Sequence, residues 1–338
     1  MKVTLKDVAT RAGVSEATAS KALNGRGDIA DATREAVREA AAALGYLPSR
    51  RADAGPTRPM ISAITDSIDP YYGVEVIRGL VEEGDLRGID IVPHIEPASR
   101  VSPMPPNEWE DAHLDNRCIG IVTMVYRGQG PVFQVARRRG IPVIAIDPFV
   151  MSRDADVTIS STNWEGGKSA TEHLIELGHR RIALINGLPE FIPGVERTHG
   201  YRAALEEAGL TVDNDLIFEG AFTFGSGFDA AERILELPEL PTAVFALNDR
   251  MALGAIRAFE THGIRVPGTI SVIGFDNSPG TELMTPALTT IGQPLSGMGR
   301  LAVRTLADMS GGNRPTSNRI KLATSLVVRS STAAPRSA

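Results

Sequence analysis

Five polar residues stand where apolar runs of the sequence stop or turn into helices. Asp147 follows the run 141–146, Asn248 and Asp276 close the runs 243–247 and 270–274, Gln293 lies just past 289–291, and Arg197 opens the helix-like stretch 197–208. Carboxylates, side-chain amides and a guanidinium present paired acceptors or donors, the pattern needed to hold the neighbouring hydroxyls of a sugar. Asp66 adds a further carboxylate. Tyr71, Tyr72, Trp164 and Phe222 add aromatic faces that suit the C–H surface of such a ligand. Arg197 with Asp147 and Asp276 also makes a charge-paired network. Plainer roles stay open: Asn248 or Asp249 as a helix cap, Tyr72 and Phe222 as core.

A second constellation fills 4–24. Leu5, Val8, Ala9 and Ala12 repeat at i, i+3, i+4 and i+7, and Ala19, Ala22 and Leu23 continue the spacing beyond Gly13-Val14-Ser15. Two short helices meeting at a glycine, with a serine to cap the second, make a helix-turn-helix. The second helix of that motif enters the major groove. Glu16, Ala17, Thr18, Ser20 and Lys21 point away from its apolar face. Glu16 suits a cytosine amino group, Ala17 a thymine methyl, and Lys21 a guanine edge. Thr4, Ser15, Thr18, Asn24 and, in a third helix, Arg34 suit phosphates.

These elements sit on a chain with uneven charge. The net charge is −6, yet residues 1–59 hold ten basic and seven acidic side chains, a surplus of +3, while the remainder carries −9. A small basic head on an acidic body is the expected reading. From Ile61 onward, strand-like runs (61–65, 89–92, 118–124, 141–146, 181–185, 243–247, 270–274) alternate with helix-like stretches such as 169–177 and 251–262. That alternation predicts parallel sheets covered by helices, in two similar α/β lobes. Pro48, Gly55, Pro56 and Pro59 mark a linker over 47–59.

Several function classes find no support. The phosphate-binding loop, the serine elbow and the paired-histidine zinc motif are all missing, and the six histidines have no metal-ligand spacing. Gly297, Gly299 and Ala302 make one weak glycine match inside a helical pattern, read as close helix packing. Catalysis, cofactors and metals are therefore not expected. Cys118, the only cysteine, reads as core. With no signal-peptide pattern and no apolar span of membrane length, the expectation is a cytoplasmic protein acting at the nucleoid.

Residues 4–24 resemble the head of the LacI family of bacterial transcription regulators. The resemblance continues through Ile29-Ala-Asp-Ala-Thr-Arg-Glu-Ala-Val37, Leu44-Gly-Tyr-Leu-Pro48, Asp69-Pro-Tyr-Tyr72, the segment 173–183, Arg197-Thr-His-Gly-Tyr201, Leu247-Asn-Asp-Arg-Met-Ala-Leu-Gly254, Ser271-Val-Ile-Gly-Phe-Asp276 and the segment 285–294. It implies an all-α helix-turn-helix head on a core of two Rossmann-like lobes, like type I periplasmic sugar-binding proteins. It further implies a homodimer on a pseudo-palindromic operator in double-stranded DNA, and an allosteric small-molecule effector: a sugar, or alternatively a nucleobase or other metabolite. By the same resemblance Asp147, Arg197, Asn248, Asp276 and Gln293 contact that effector, and Trp164 with its neighbouring Asn163 stands at the cleft rim.

The linker departs from the family. The usual pattern is Asn-x-x-Ala-Arg-x-Leu, a hinge helix whose leucine wedges into the minor groove. Here Ser49, Arg50, Arg51, Ala52, Asp53, Ala54 and Gly55 occupy it. Arg50, Arg51 and Ala52 keep a role on DNA, but glycine disfavours a helix by about 1 kcal/mol and cannot wedge. Two expectations stay open: a hinge that bends DNA less or forms its helix poorly, and a one-residue register shift that lets Ala54 or Ala52 do a weaker version of the wedge. The implied organisation is a head over 1–46, a linker over 47–59, a core over 60–330 and a disordered tail over 331–338. Within the core, one lobe takes about 60–160 with 292–317 and the other about 161–291 with 318–330.

Overall fold

A computed structural model describes residues 3–23, 29–44, 46, 58–66, 71–96, 104–127, 131–149 and 154–336. The chain divides into two compact units, Met1–Thr57 and Arg58–Ala338.

The first unit packs α1 (Leu5–Ala12), α2 (Glu16–Leu23) and α3 (Asp31–Leu44) around Val8, Ala9, Ala19, Ala22, Val37, Ala40 and Ala41, all buried. Alanines dominate the contact, so the helices approach closely without large side chains. Asn24, Arg50, Arg51, Ala52 and the altered linker positions Asp53 and Gly55 lie outside the described residues.

The second unit contains two six-stranded sheets. The N-lobe is built from β1 (Met60–Thr65), α4 (Tyr72–Arg87), β2 (Asp90–Ile95), α5 (Pro106–His113), β3 (Cys118–Met124), α6 (Pro131–Arg139), β4 (Val143–Ile146) and β5 (Val157–Ser161). The C-lobe follows with α7 (Asn163–Glu176), β6 (Ile182–Ile185), α8 (Ile192–Glu207), β7 (Ile217–Phe218), α9 (Phe224–Leu235), β8 (Ala243–Ala246), α10 (Asp249–Thr261), β9 (Ser271–Asp276) and β10 (Thr289–Gly292). Then α11 (Leu295–Ser310) and β11 (Arg319–Leu322) return to the N-lobe, and β12 (Ser325–Val327) closes the C-lobe sheet. The sheet orders are β11-β5-β4-β3-β1-β2 and β12-β10-β9-β8-β6-β7; every pairing is parallel except β12 on β10. Strands β1, β4, β6 and β8 are buried along their whole length, as parallel strands covered on both faces must be.

The chain thus crosses between lobes at Thr162, at Gln293–Pro294 and at 323–324. The third crossing corrects the expected boundary. Residues 319–322 pair with β5 in the N-lobe sheet rather than joining the C-lobe, because Arg319–Leu322 is too short and too exposed to announce itself as a strand. The terminal segment also differs from expectation. Ser331 is fully buried, with Val272 N donating to its carbonyl (2.9 Å) and its hydroxyl donating to Val272 O (2.6 Å), and residues up to 336 are described. Its Ser, Thr and Ala composition hid an ordered edge. Strand β2 runs through Pro93, past the expected end at 92; it is an edge strand, where a missing N–H costs no ladder bond. In α11, a Cβ at Gly299 would sit 2.3 Å from Val76 O, so the glycine match is helix packing of α11 on α4.

Candidate functional site

The two sheets bring the C-terminal ends of their strands to a cavity of about 430 Å³ between the lobes. Ligands of open α/β sheets bind at such ends, and the volume falls in the range of small-molecule sites. Asp66 follows β1, Arg127 follows β3, Phe222 follows β7, Asn248 follows β8 and Asp276 ends β9; Tyr72 opens α4 and Arg197 lies in α8.

Arg197 is the centre of the polar wall. It is 3% exposed, and its guanidinium stacks over Phe275 with the carbon 3.8 Å from the ring centroid. Nε donates to Asn163 Oδ1 (2.8 Å), Nη1 donates to Leu247 O (2.6 Å), and Asp276 Oδ1 stands 3.7 Å from Nη1. Nη2 has no hydrogen-bond partner among the described residues, so the group keeps donors for a ligand. Burial pulls its pKa down, and the carboxylates of Asp276 and Asp147 oppose that pull. Arg197 does not open its helix, as the sequence suggested. Helix α8 starts at Ile192, because Pro193 fits a first turn, and Arg197 falls in the second.

Asp276 is held in turn by Gln293 Nε2 (2.6 Å), whose Oε1 accepts from Ser161 Oγ (2.6 Å). Gln293 therefore sits behind the cavity wall rather than on it. Asp147 does the same on the N-lobe side: it is fully buried, accepts from Tyr72 OH (2.6 Å) and from Ser160 Oγ, and does not line the cavity. Burial raises its carboxyl pKa against those two hydrogen bonds, and the Tyr72 phenol is driven well above its ordinary value by burial and by Asp147.

Asn248 takes both roles left open for it. Its Oδ1 caps α10 at Met251 N (2.9 Å) and its Nδ2 donates to Phe222 O (3.1 Å), while the residue still borders the cavity. Asp66 accepts from Arg127 N (3.1 Å) through Oδ2; its Oδ1 is buried with no partner among the described residues, an acceptor awaiting a donor. Burial raises its carboxyl pKa.

Two expected residues are not brought in. Tyr71 precedes α4 and does not line the cavity, and neither does Trp164. One step of about 100° along α7 separates the inward Asn163, fully buried, from Trp164, which is 36% exposed with Lys168 Nζ 5.7 Å from its ring. Asn163 is not at the rim either; it is the partner of Arg197.

Among the cavity residues that escaped sequence reasoning, Arg127, Phe149 and Phe191 add a cation and two aromatic faces. Phe149 and Phe191 lie 5.4 Å apart, Phe191 and Phe222 5.2 Å apart edge to face, and the Arg127 guanidinium sits 4.1 Å over Phe149. Arg127 and Phe149 follow β3 and β4, so the rule that singled out Asp147 reaches them too. Phe191 immediately precedes α8. Backbone strain marks the same place. Val125, Asp147, Phe222, Asp276 and Asn277 are non-glycine residues with positive φ (45°, 43°, 59°, 123° and 57°), and all five lie on or next to the cavity wall. Such strain persists where the surroundings over-determine it, commonly at binding sites.

In the head, Thr4 closes a capping box with Asp7: Thr4 N donates to Asp7 Oδ2 (2.8 Å), and Asp7 N to Thr4 Oγ1 (3.4 Å). The chain turns through Gly13 (φ 67°), and Ser15 Oγ accepts from Thr18 N (3.1 Å), starting α2. Ser15, Glu16 and Ala17 are exposed at the start of α2, with Thr18, Ser20 and Lys21 half-buried along it. Arg34 folds back, Nη2 donating to Ile29 O (3.3 Å).

Among the described residues no group of acidic, histidine or cysteine side chains is arranged to hold a metal ion, and no helix is long and apolar enough to cross a membrane. Residues 4–49 match the family of bacterial regulatory proteins of the lacI type, and 171–332 match a periplasmic binding protein-like domain. The transcriptional regulator CelR of Thermobifida fusca is 33% identical, over 97% of this chain and 98% of its own; the structure of a CelR-cellobiose complex gives a TM-score of 0.71 over 98% and 100% of the two chains. The repressor PurR of Pectobacterium atrosepticum is 35% identical over 98% and 97%. The lac repressor dimer bound to operator and the anti-inducer ONPF is 29% identical, with a TM-score of 0.71 over 99% and 100%. These relatives are transcription regulators, not enzymes. With a capped helix-turn-helix, two crossed α/β lobes and relatives matching from end to end, the chain belongs to the lacI family of bacterial transcription regulators.

Proposed function

We propose that the protein is a homodimeric repressor of carbohydrate-utilisation genes, acting at the nucleoid, whose grip on a pseudo-palindromic operator is set by a sugar bound between its lobes. The observation that carries this reading is Arg197, buried and locked on one side by Asn163, Leu247 O and Asp276, with donors left for a ligand in a cavity that Asn248, Asp66 and Phe222 also line. A fixed guanidinium beside a carboxylate suits vicinal hydroxyls, and the phenylalanines suit the apolar ring face. The CelR structure, holding cellobiose on the same fold, supports it. In the head, Glu16, Ala17, Thr18, Ser20 and Lys21 read base edges while Thr4, Ser15, Asn24 and Arg34 meet phosphates; Arg50, Arg51 and Ala52 of the linker add contacts.

A nucleobase is the second reading. The three clustered phenylalanines suit a flat ring equally well, and PurR is among the relatives. A thermal-shift screen with cellobiose, monosaccharides and purine bases decides between them, since a ligand of the native state raises the melting temperature. An operator is then selected from random duplexes with the full chain. A sugar should raise the melting temperature and change affinity for the selected operator. A purine doing both, with every sugar inert, moves the conclusion to the second reading.

A further inference from the structure

Behind the cavity wall runs a chain of hydrogen bonds whose middle members do not line the ligand space. Arg197 Nε donates to Asn163 Oδ1 (2.8 Å); Asn163 Nδ2 donates to Ser160 Oγ (3.1 Å); Ser160 Oγ donates to Asp147 Oδ1; and Tyr72 OH donates to Asp147 Oδ2 (2.6 Å). Arg197 and Asn163 belong to α8 and α7 of the C-lobe, whereas Ser160, Asp147 and Tyr72 belong to the N-lobe, so the chain bridges the first crossing between lobes. Its two ends, Arg197 and Tyr72, line the cavity; Ser160, Asn163 and Asp147 do not.

From Arg197 to Asp147 the donors run one way, guanidinium to carboxylate, and Tyr72 donates to the same carboxylate from the far side. Every dipole between the two buried charges therefore reinforces the next, and two neutral side chains stand in for a direct ion pair. Asn163 is not spent on capping α7: the residue before it, Thr162, makes no side-chain cap, and the second use of Asn163 Nδ2 is Ser161 O (3.2 Å). Among the described residues, the side-chain hydrogen-bond partners of Ser160 Oγ are Asp147 and Asn163.

We infer that Ser160 and Asn163 are positioning residues that latch the ligand-facing Arg197 of one lobe to the ligand-facing Tyr72 of the other, so that occupancy of the cavity and the relative closure of the lobes are set together. The inference rests on the effector reading of the cavity. Replacing Ser160 with alanine removes the middle link and strands both charged ends, without altering any group that faces the ligand. Replacing it with threonine keeps the hydroxyl.

The test uses the full chain, cellobiose as probe and the operator selected above. In Ser160→Ala, affinity for the probe falls about tenfold, as for a lost hydrogen bond to a charged group. The operator affinity without probe stays at the wild-type value, the factor by which the probe changes operator affinity shrinks towards one, and Ser160→Thr restores both. Hydrogen exchange without probe supplies a second readout: in Ser160→Ala the first turn of α4 and the Arg197 turn of α8 exchange faster together. A Ser160→Ala protein with wild-type probe affinity and response overturns the latch, as does faster exchange confined to β5. A wild-type protein that ignores cellobiose overturns the sugar reading for that probe, and the exchange result still decides the latch.

Discussion

Arg197 shows how one side chain is fixed from several directions. Its partners come from α7, from the end of β8 and from β9, so its position reports the packing of the whole C-lobe on the crossing strands. Arg197→Ala leaves Asp276 and Asp147 buried without their cation. The variant should lose about 3–5 kcal/mol of core stability in denaturant titration and all response to effector, while the separate head keeps its hold on operator. The placement of Trp164 yields a contrasting expectation: Trp164→Ala leaves effector affinity unchanged, whereas Phe222→Ala weakens it at least about tenfold, both read by calorimetry. Sequence reasoning reached Asn248 and Asp276 because they end strands, which chain position alone reveals, and Asp66, Tyr72 and Phe222 through their carboxylate and aromatic side chains; Arg197 was reached as a helix opener, although α8 begins at Ile192. It misplaced Trp164 because one residue of helical rotation decides which way a side chain faces. It missed Phe149 and Phe191 because an isolated phenylalanine near a strand end looks like ordinary core.

At the level of elements, α7 and α8 meet backbone to backbone. A Cβ at Gly167 would lie 2.2 Å from Arg197 O, the carbonyl of the residue that holds the site. Gly167→Ala should therefore push α8 away from α7, lowering the melting temperature and effector affinity together. In the head, Ser15 caps α2 through Thr18 N, and Ser15→Ala should cost about 1 kcal/mol and loosen operator binding without changing base preference. The fully buried strands were legible as unbroken apolar runs. Strands β5, β7, β11 and β12 were not: β5 alternates buried and half-buried residues, β7 holds two residues, and the last pair is mostly exposed. Short strands gain their stability from neighbours supplied by distant parts of the chain, which no local pattern records.

Across the whole molecule, two histidines tie the C-terminal segment down. His179, buried, faces Thr242 Oγ1 (2.9 Å), Ser271 Oγ (3.2 Å) and Ala333 O (2.9 Å), and His173 Nε2 faces Thr332 Oγ1 (3.0 Å). Burial depresses both pKa values, so the folded state takes up a proton less readily than the unfolded chain. Their contribution to stability is present above about pH 6.5 and is lost as pH falls through the depressed values. Buried Asp249, its carboxyl pushed up to about 6, acts with the opposite sign, so the histidine share is isolated by comparison. Between pH 7 and 5 the melting temperature of wild type should change more unfavourably than that of His179→Gln. The charge asymmetry belongs to this scale as well: +3 on residues 1–59, head and linker together, against −9 on the rest implies operator binding that weakens steeply with salt.

Linkage joins the two ends of the chain: if the sugar changes operator affinity by some factor, bound operator must change sugar affinity by that same factor. Calorimetric titration of cellobiose into the full chain, alone and saturated with its selected operator, measures this directly. Two sugar affinities whose ratio equals the operator shift, with that shift absent in Arg197→Ala, are the expected result. A sugar that binds the interlobe cavity with one and the same affinity whether or not operator is bound would contradict the account.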